Sequence, residues 1–109
     1  MRLEYYPLSA LKKEIIAILK CYIDLAQYQV FFFGSRVTGK GTDRSDIDVG
    51  IEGPPIPPQV WFDIREAFEN FPALYKVEIV DFNHVSPQFR DVALQHIEEI
   101  TNKNVSVKI

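Results

Sequence analysis

The sequence has little cysteine, no long apolar run and no excess of positive charge, and each shortage excludes a class of protein. One cysteine, Cys21, in 109 residues excludes an internal disulfide and a cysteine-rich zinc site, and its place in a helical pattern predicts that it simply packs. No apolar run approaches the ~20 residues that a membrane helix needs. The N-terminal residues lack the basic and then apolar layout of a signal peptide. We therefore expect a cytoplasmic protein with no membrane contact.

The charge balance argues against a protein that binds nucleic acid over its whole surface. Twelve Lys and Arg residues against fifteen Asp and Glu give a formal net charge of −3, whereas bulk nucleic-acid binders usually carry a basic excess. A local basic site remains compatible with this balance. The apolar fraction of 47% is enough for a hydrophobic core, and the length suits one domain over residues 1–109.

Hydrophobic periodicity predicts helices and strands in the order α-β-β-α-β-α. Three helices are predicted, over 8–25, over about 59–71, and from Ser86-Pro87 along an apolar stripe that reaches Ile100. Strands are predicted over 29–33, 46–51 and 74–82, and the weakly alternating tail 104–109 is either an edge strand or a segment that orders only against a partner. This order predicts an α+β fold of two layers, in which helices pack on a small mixed sheet of three to four strands.

Two carboxylates, Asp46 and Asp48, alternate with apolar residues in the second predicted strand. Residues two apart project from the same face of a strand, about 6.5–7 Å apart along it. Hard divalent cations such as Mg²⁺ bind a few carboxylates together with phosphate oxygens and water. The pair is therefore a candidate metal site, although Asp-x-Asp pairs are common and are usually only solvated.

A glycine-rich and basic segment precedes this pair. The buried strand ends at Gly34-Ser35, where a glycine lets the backbone approach a ligand and main-chain N–H groups can bind phosphate. The alternative is an ordinary turn with solvated basic residues, but that does not explain why the segment returns into a paired-aspartate strand. The predicted nucleotide-binding residues are Gly34, Ser35, Arg36, Lys40, Arg44 and Ser45.

A third carboxylate, Asp81, ends the otherwise apolar strand VEIVDF. Burying a charge without a partner is costly, and a cation shared with Asp46 and Asp48 would supply that partner. The alternative is a solvated strand end, because Asn83 and His84 follow at once. Three carboxylates that face a phosphate-binding loop form a two-metal arrangement for phosphoryl or nucleotidyl transfer.

The motif of Gly34-Ser35, ten residues and then Asp46-Ile47-Asp48 resembles the signature of nucleotidyltransferases of the DNA polymerase beta superfamily. The whole chain is similar to the minimal nucleotidyltransferases (MNT proteins), because the leading helix, FFFGSR, SDIDVGIEG and VEIVDF occur in the expected order. The resemblance implies a nucleotidyltransferase fold with ATP as substrate. It implies that Gly34 and Ser35 hold the triphosphate, that Asp46 and Asp48 bind Mg²⁺, and that Asp81 helps to activate the acceptor hydroxyl.

The same resemblance implies a partner. Members of the minimal group are typically paired with a small helical ribonuclease toxin of the HEPN class and act as antitoxins, in characterised cases by transferring AMP to a toxin tyrosine. A hetero-oligomer or a homodimer is compatible with this implied role. Two alternatives stay open: a non-catalytic antitoxin that binds its partner, and a small-molecule nucleotidyltransferase of the antibiotic-resistance kind. The second lacks an evident acceptor-binding domain in this chain.

Overall fold

Three helices and four strands make up the part of the chain that the computed structural model describes, which is residues 8–34, 37, 47–71 and 76–101. A single 3₁₀ turn, Leu25–Gln27, lies between the first helix and the first strand. The longer elements, in chain order, are α1 (Leu8–Leu19), β1 (Gln29–Phe33), β2 (Ile47–Glu52), α2 (Pro58–Glu69), β3 (Val77–Asp81), α3 (Pro87–Ala93) and β4 (Glu98–Thr101).

The four strands form one mixed sheet in the order β3-β2-β1-β4. Strand β1 pairs antiparallel with both β2 and β4, whereas β2 pairs parallel with β3. A parallel pair needs a crossover connection, which α2 supplies between β2 and β3. The predicted α+β fold with a small mixed sheet is therefore confirmed.

The two faces of the sheet carry different side chains and different helices. On one face, here called the two-helix face, aliphatic side chains of β2 and β3 pack with Leu11 and Ile15 of α1 and with Ile64 and Phe68 of α2. The other face, here called the aromatic face, carries a separate cluster of Phe31, Phe33 and Phe82, against which Ala93 and Leu94 pack. Since β1 contributes fully buried residues to both faces, its unbroken apolar run follows from its central position in the sheet.

The first helix is shorter than predicted. It ends at Leu19 and not near residue 25, and the Asp24 side chain accepts a hydrogen bond from the Ala26 N–H to cap the 3₁₀ turn. This cap gives the Ala26 N–H a hydrogen-bond partner at the start of the turn, and the chain then continues into β1. Cys21 consequently lies beyond the helix and is exposed, so the prediction that it packs is wrong.

The predicted last helix is also too long. Helix α3 begins at Pro87, with Ser86 as its N-cap, but ends at Ala93. Residues 98–101 then form β4, which pairs with the free edge of β1 and places Glu98 opposite Phe32. The tertiary pairing overrides the helical spacing of Ile97 and Ile100. The tail 104–109 lies outside the described residues.

The helices of the described ranges are short. The longest have 12 residues, and within those ranges none is long and apolar enough to cross a membrane.

Candidate active site

Asp48 occupies the aromatic face of β2, beside the end of β1. Its neighbours Ile47 and Val49 are fully buried on the two-helix face, and alternation along the strand turns Asp48 to the opposite side. It is paired with Phe33 across the antiparallel ladder, and its side chain is only half-buried. This position puts one predicted metal-binding carboxylate at an accessible point of the sheet.

Gly34 lies directly against the Asp48 carboxylate. It has a φ of +87°, a backbone conformation that residues with a side chain rarely adopt. A Cβ atom added to Gly34 would lie 2.3 Å from Oδ2 of Asp48, which is closer than any real contact. The backbone at the end of β1 therefore approaches the carboxylate as closely as it does because residue 34 is glycine.

Glu78 is the carboxylate that the structure brings beside Asp48 on the neighbouring strand. The two residues are in register in the parallel β2–β3 pair, so their side chains share one face of the sheet. Glu78 is exposed, whereas its neighbours Val77 and Ile79 are buried on the two-helix face. The prediction omits Glu78, although the alternation in Val77-Glu78-Ile79 repeats that in Ile47-Asp48-Val49 and is the signal that could have found it.

Asp81 does not join Asp48. It is in register with Ile51, which packs on the two-helix face, so Asp81 and Asp48 lie on opposite faces of the sheet. This placement contradicts the prediction that the two residues share one metal site. Asp81 is buried at 7% exposure, and its Oδ1 accepts a hydrogen bond of 2.9 Å from the Asn83 N–H. Its Oδ2 lies 3.6 Å from Nε2 of His84. These contacts cap the turn that follows β3 and give the buried carboxylate its partners.

The surroundings of Asp81 perturb a neighbouring phenol. Burial of Tyr28, followed by the negative charges of Asp81 and Asp24, raises the pKa of its hydroxyl above the ordinary value of 10.0. Each of these causes disfavours the charged form of the phenol. Tyr28 belongs to the core of the two-helix face, which again separates Asp81 from the side of the sheet that carries Asp48.

The other predicted site residues lie outside the described residues. They are Ser35, Arg36, Lys40, Arg44, Ser45 and Asp46. Within the described ranges alone, no group of three His, Cys, Asp or Glu side chains is placed to hold a metal ion. Of the predicted set, the structure therefore brings together Gly34 and Asp48.

The donor chemistry at Asp48 and Glu78 fits a hard divalent cation. Both side chains offer carboxylate oxygens on one face of adjacent strands, and such oxygens are the ligands that Mg²⁺ prefers. The Asp48 carboxylate fills the place that a Cβ of residue 34 would need, so glycine at this position lets the carboxylate lie against the end of β1. These residues would hold the cation together with phosphate oxygens of a nucleotide.

A cavity of about 520 Å³ opens beside Asp48 on the aromatic face. Phe33 and Gly34 line it from the end of β1, and Phe89 and Val92 line it from α3. Its size lies in the range of small-molecule sites, about 300–1,000 Å³. The arrangement thus pairs a polar edge, suited to phosphate and metal, with an apolar pocket.

Comparison with known proteins identifies a relative of this chain. The chain is 30% identical over 101 residues to the "Probable protein adenylyltransferase MntA" of Haemophilus influenzae, an alignment that covers 90% of this chain and 89% of that protein.

Solved structures of low sequence identity share the fold. A toxin-antitoxin complex with AMP-PNP contains a chain with a TM-score of 0.67 and 17% identity, where the match covers 84% of this chain and 73% of that one. The complex of a tri-AMPylated HEPN toxin of Shewanella oneidensis with an MNT antitoxin contains a chain with a TM-score of 0.60 and 16% identity, where the match covers 87% of this chain and 73% of that one.

The family model described as "Polymerase beta, Nucleotidyltransferase" matches residues 12–106. This chain belongs to the polymerase beta nucleotidyltransferase family.

Proposed function

We propose that this protein is a Mg²⁺-dependent adenylyltransferase that moves AMP from ATP to a hydroxyl group of a HEPN-type partner and so acts as an antitoxin. The proposal is supported by the relative from Haemophilus influenzae, whose name describes a protein adenylyltransferase. It is supported further by fold neighbours that are chains of toxin-antitoxin complexes, one of them with AMP-PNP and one with an AMPylated HEPN toxin.

The observation that carries the proposal is the contact of Gly34 with Asp48, with Glu78 in register on the next strand. We assign to Glu78 the role of third carboxylate that the sequence pattern suggested for Asp81. Asp46 remains part of the proposed metal site, because it lies two positions before Asp48 in the sequence. Ser35, Arg36, Lys40, Arg44 and Ser45 remain the proposed triphosphate-binding residues.

The proposed reaction is an in-line displacement at the α-phosphorus of ATP. The acceptor hydroxyl oxygen forms a bond to the α-phosphorus, the bond from that phosphorus to the bridging oxygen of the β-phosphate breaks, and pyrophosphate leaves. Glu78 accepts the hydroxyl proton and later releases it to water, which is general base catalysis by a positioned carboxylate. Asp48 would hold the cation beside the α-phosphate, and the phosphates lie along the backbone at Gly34. Bound Mg²⁺ would supply charge neutralisation for the phosphates and the leaving pyrophosphate.

Three isosteric variants test these assignments. In an assay with ATP labelled at the α-phosphate, Mg²⁺ and a HEPN-type protein of the same organism, we expect Asp48→Asn and Glu78→Gln each to reduce labelling at least about 100-fold. Asp81→Asn should retain labelling, because Asn keeps the oxygen that accepts from Asn83 N–H and because residue 81 lies on the other face.

The controls separate the alternatives. ATP labelled at the γ-phosphate should leave the acceptor unlabelled, because the γ-phosphate departs with pyrophosphate. Loss of labelling in Asp81→Asn with full activity in Glu78→Gln would refute the assignment of Glu78. If no α-label reaches any protein while Asp48→Asn still neutralises the toxin as well as wild type, the protein is a binding antitoxin. Label on a small molecule alone would favour a small-molecule acceptor.

A further inference from the structure

We propose that the apolar cavity between α3 and the ends of β1 and β2 binds the nucleobase of the donor nucleotide, and that Phe89 and Val92 determine how tightly it is held. This inference rests on the proposed function, because it assumes a nucleotide donor at Asp48. It adds the part of the site that recognises the nucleoside, which the carboxylates and the phosphate-binding residues cannot do.

The first argument is the chemistry of the cavity wall. Phe89, Val92 and Ala93 of α3 line one side, and Phe33 lines the floor. Such a surface suits a flat, weakly polar ring, whereas a triphosphate would lose its water there without gaining charged partners. Phe89 and Val92 are 43% and 68% exposed, and they are among the few large apolar side chains that the described residues leave open to solvent. A bound base would cover them.

The second argument is the position of the cavity relative to the reacting groups. It includes Gly34, at the end of β1, and lies on the β1 side of Asp48, whereas Glu78 lies on the β3 side. In an in-line displacement the acceptor enters opposite the leaving pyrophosphate. The proposed general base, Glu78, therefore marks the acceptor side, and the cavity next to Gly34 lies away from that side, where the nucleoside attached to the α-phosphate can enter it.

The third argument is the presence of polar groups at one end of the cavity. Gln95 and His96 follow α3 and line the cavity beyond its apolar wall. A glutamine amide can donate and accept hydrogen bonds at once, which is how glutamine recognises adenine in other contexts. An apolar pocket with a few polar groups at its edge is the usual form of a small-molecule site.

Two substitutions in the cavity wall and one control substitution outside it test this inference by measurements of ligand binding alone. Phe89→Leu keeps an apolar side chain against Phe33 and Phe82, which the Phe89 ring contacts at centroid distances of 5.9 Å, but removes the flat ring. Val92→Gln makes the wall polar at an exposed position. Phe62→Leu is the matched control, because Phe62 is 56% exposed on α2 and lies outside the cavity.

Each variant is titrated with ATP and, separately, with inorganic tripolyphosphate, both with Mg²⁺, and its folding is checked by circular dichroism. We expect Phe89→Leu to weaken ATP binding by about 5-fold or more, the range for loss of a base–aromatic contact. Val92→Gln should weaken it by a similar factor, because a polar amide then faces the apolar ring. Tripolyphosphate binding should change less than about twofold, because the phosphate-binding groups are untouched. Phe62→Leu should bind both ligands as wild type does.

Each other outcome overturns the inference in a recognisable way. Equal weakening of ATP and tripolyphosphate would mean that α3 acts on the phosphate site or on the fold. Unchanged ATP binding together with a raised KM for the acceptor protein would assign the cavity to the acceptor. If wild type labels its acceptor and these variants bind ATP normally, only the inference fails. If wild type binds neither ligand, the proposed function fails with it.

Discussion

Two glycines on the aromatic face exclude side chains for different reasons, and the difference separates function from packing. At Gly34 the excluded atom would meet the Asp48 carboxylate. At Gly50 it would lie 2.6 Å from the rings of Phe31 and Phe82, which form the core of that face. One glycine is thus tied to the candidate active site and the other to the hydrophobic cluster.

We expect Gly34→Ala and Gly50→Ala to fail in different assays. Gly34→Ala must move the Asp48 side chain, and a displacement of about 1 Å at a reacting group can cost about 100-fold in rate. Its free energy of unfolding should fall by only about 1–2 kcal/mol, the cost of a left-handed backbone for alanine. Gly50→Ala overpacks the aromatic cluster and should lose about 1–3 kcal/mol of stability. AMP transfer and urea unfolding at 25 °C measure the two effects.

The pair is informative because each variant is the control for the other. Gly50→Ala should transfer AMP at close to the wild-type rate at temperatures where it is folded. Wild-type transfer by Gly34→Ala would contradict the assignment of the Gly34–Asp48 contact to the active site. A larger stability loss in Gly34→Ala than in Gly50→Ala would make Gly34 chiefly structural.

The residues also show how far a sequence pattern can predict a site. Gly34 and Asp48 are predictable because a glycine at a strand end and a carboxylate in an alternating strand are local signals. Choosing Glu78 over Asp81 requires the register of β3 against β2, which is a long-range property. Asp81 looks like a ligand in the sequence because it is a carboxylate in an apolar strand. The Asn83 N–H that it accepts from becomes visible only in the folded turn.

At the scale of elements, α3 is held on the aromatic face by an ion pair with the central sheet. Nε and Nη2 of Arg90 lie 2.7 Å and 2.5 Å from Oε2 of Glu52, at the end of β2. The same helix supplies Phe89 and Val92 to the cavity. Since α3 has only seven residues, contacts of this kind rather than intrinsic helix stability must fix its place.

Breaking this pair should loosen α3 with little loss of global stability. We expect Arg90→Gln to lower the free energy of unfolding by no more than about 1 kcal/mol, because both side chains are partly exposed. Amide hydrogen exchange in α3 should become faster, and the KM for ATP should rise with kcat nearly unchanged, because the wall of the cavity is then less well positioned.

A second ion pair gives the matched control. Lys12 of α1 lies 3.2 Å from Glu98 of β4, away from the cavity, with similar exposure. Lys12→Gln should cost comparable stability but leave exchange in α3 and the KM for ATP unchanged. If Arg90→Gln alters neither property, or if Lys12→Gln alters both equally, the Arg90–Glu52 pair does not position the helix.

The helices and strands whose positions depend on local hydrophobic periodicity were predictable from the sequence. Those whose positions depend on a strand-pairing partner elsewhere in the chain were not. The central strand β1, the crossover helix α2 and the start of α3 at Ser86-Pro87 follow from local patterns. Residues 98–101 carry helix-compatible spacing, yet they form β4 because the edge of β1 would otherwise lack its ladder partners. The early end of α1 likewise depends on the Asp24 cap and on the path to β1.

At the scale of the whole molecule, charge and topology set the conditions for binding a nucleotide. The chain carries a net charge of −3, so a triphosphate meets overall repulsion. Three basic residues of the sequence, Arg36, Lys40 and Arg44, are concentrated between Gly34 and Asp46, where the proposed phosphates lie. The carboxylates that approach the phosphates add further negative charge. Binding of ATP should therefore require a divalent cation to neutralise both sides.

This requirement predicts a metal-dependent gain in thermal stability. A ligand at 100 times its Kd stabilises the native state by about 2.7 kcal/mol, which for a domain of this size corresponds to a rise in Tm of roughly 10 °C or more. We expect ATP with Mg²⁺ to raise the Tm of wild type and of Asp81→Asn by such an amount, as measured by differential scanning calorimetry. Chelation of Mg²⁺ by EDTA should remove the gain, and Asp48→Asn should show little of it.

The same measurement separates the metal from the nucleotide. Mg²⁺ alone should raise the Tm only slightly, because Asp48 and Glu78 supply few of the oxygen ligands that the cation needs and the phosphates supply others. A full rise with ATP in the presence of EDTA would show that the nucleotide binds without the cation, and the two-metal reading of the site would then be wrong. A full rise in Tm for Asp48→Asn would show that the nucleotide binds elsewhere on the molecule, because the proposed site consists of the Asp48 carboxylate and the backbone at Gly34 that it contacts.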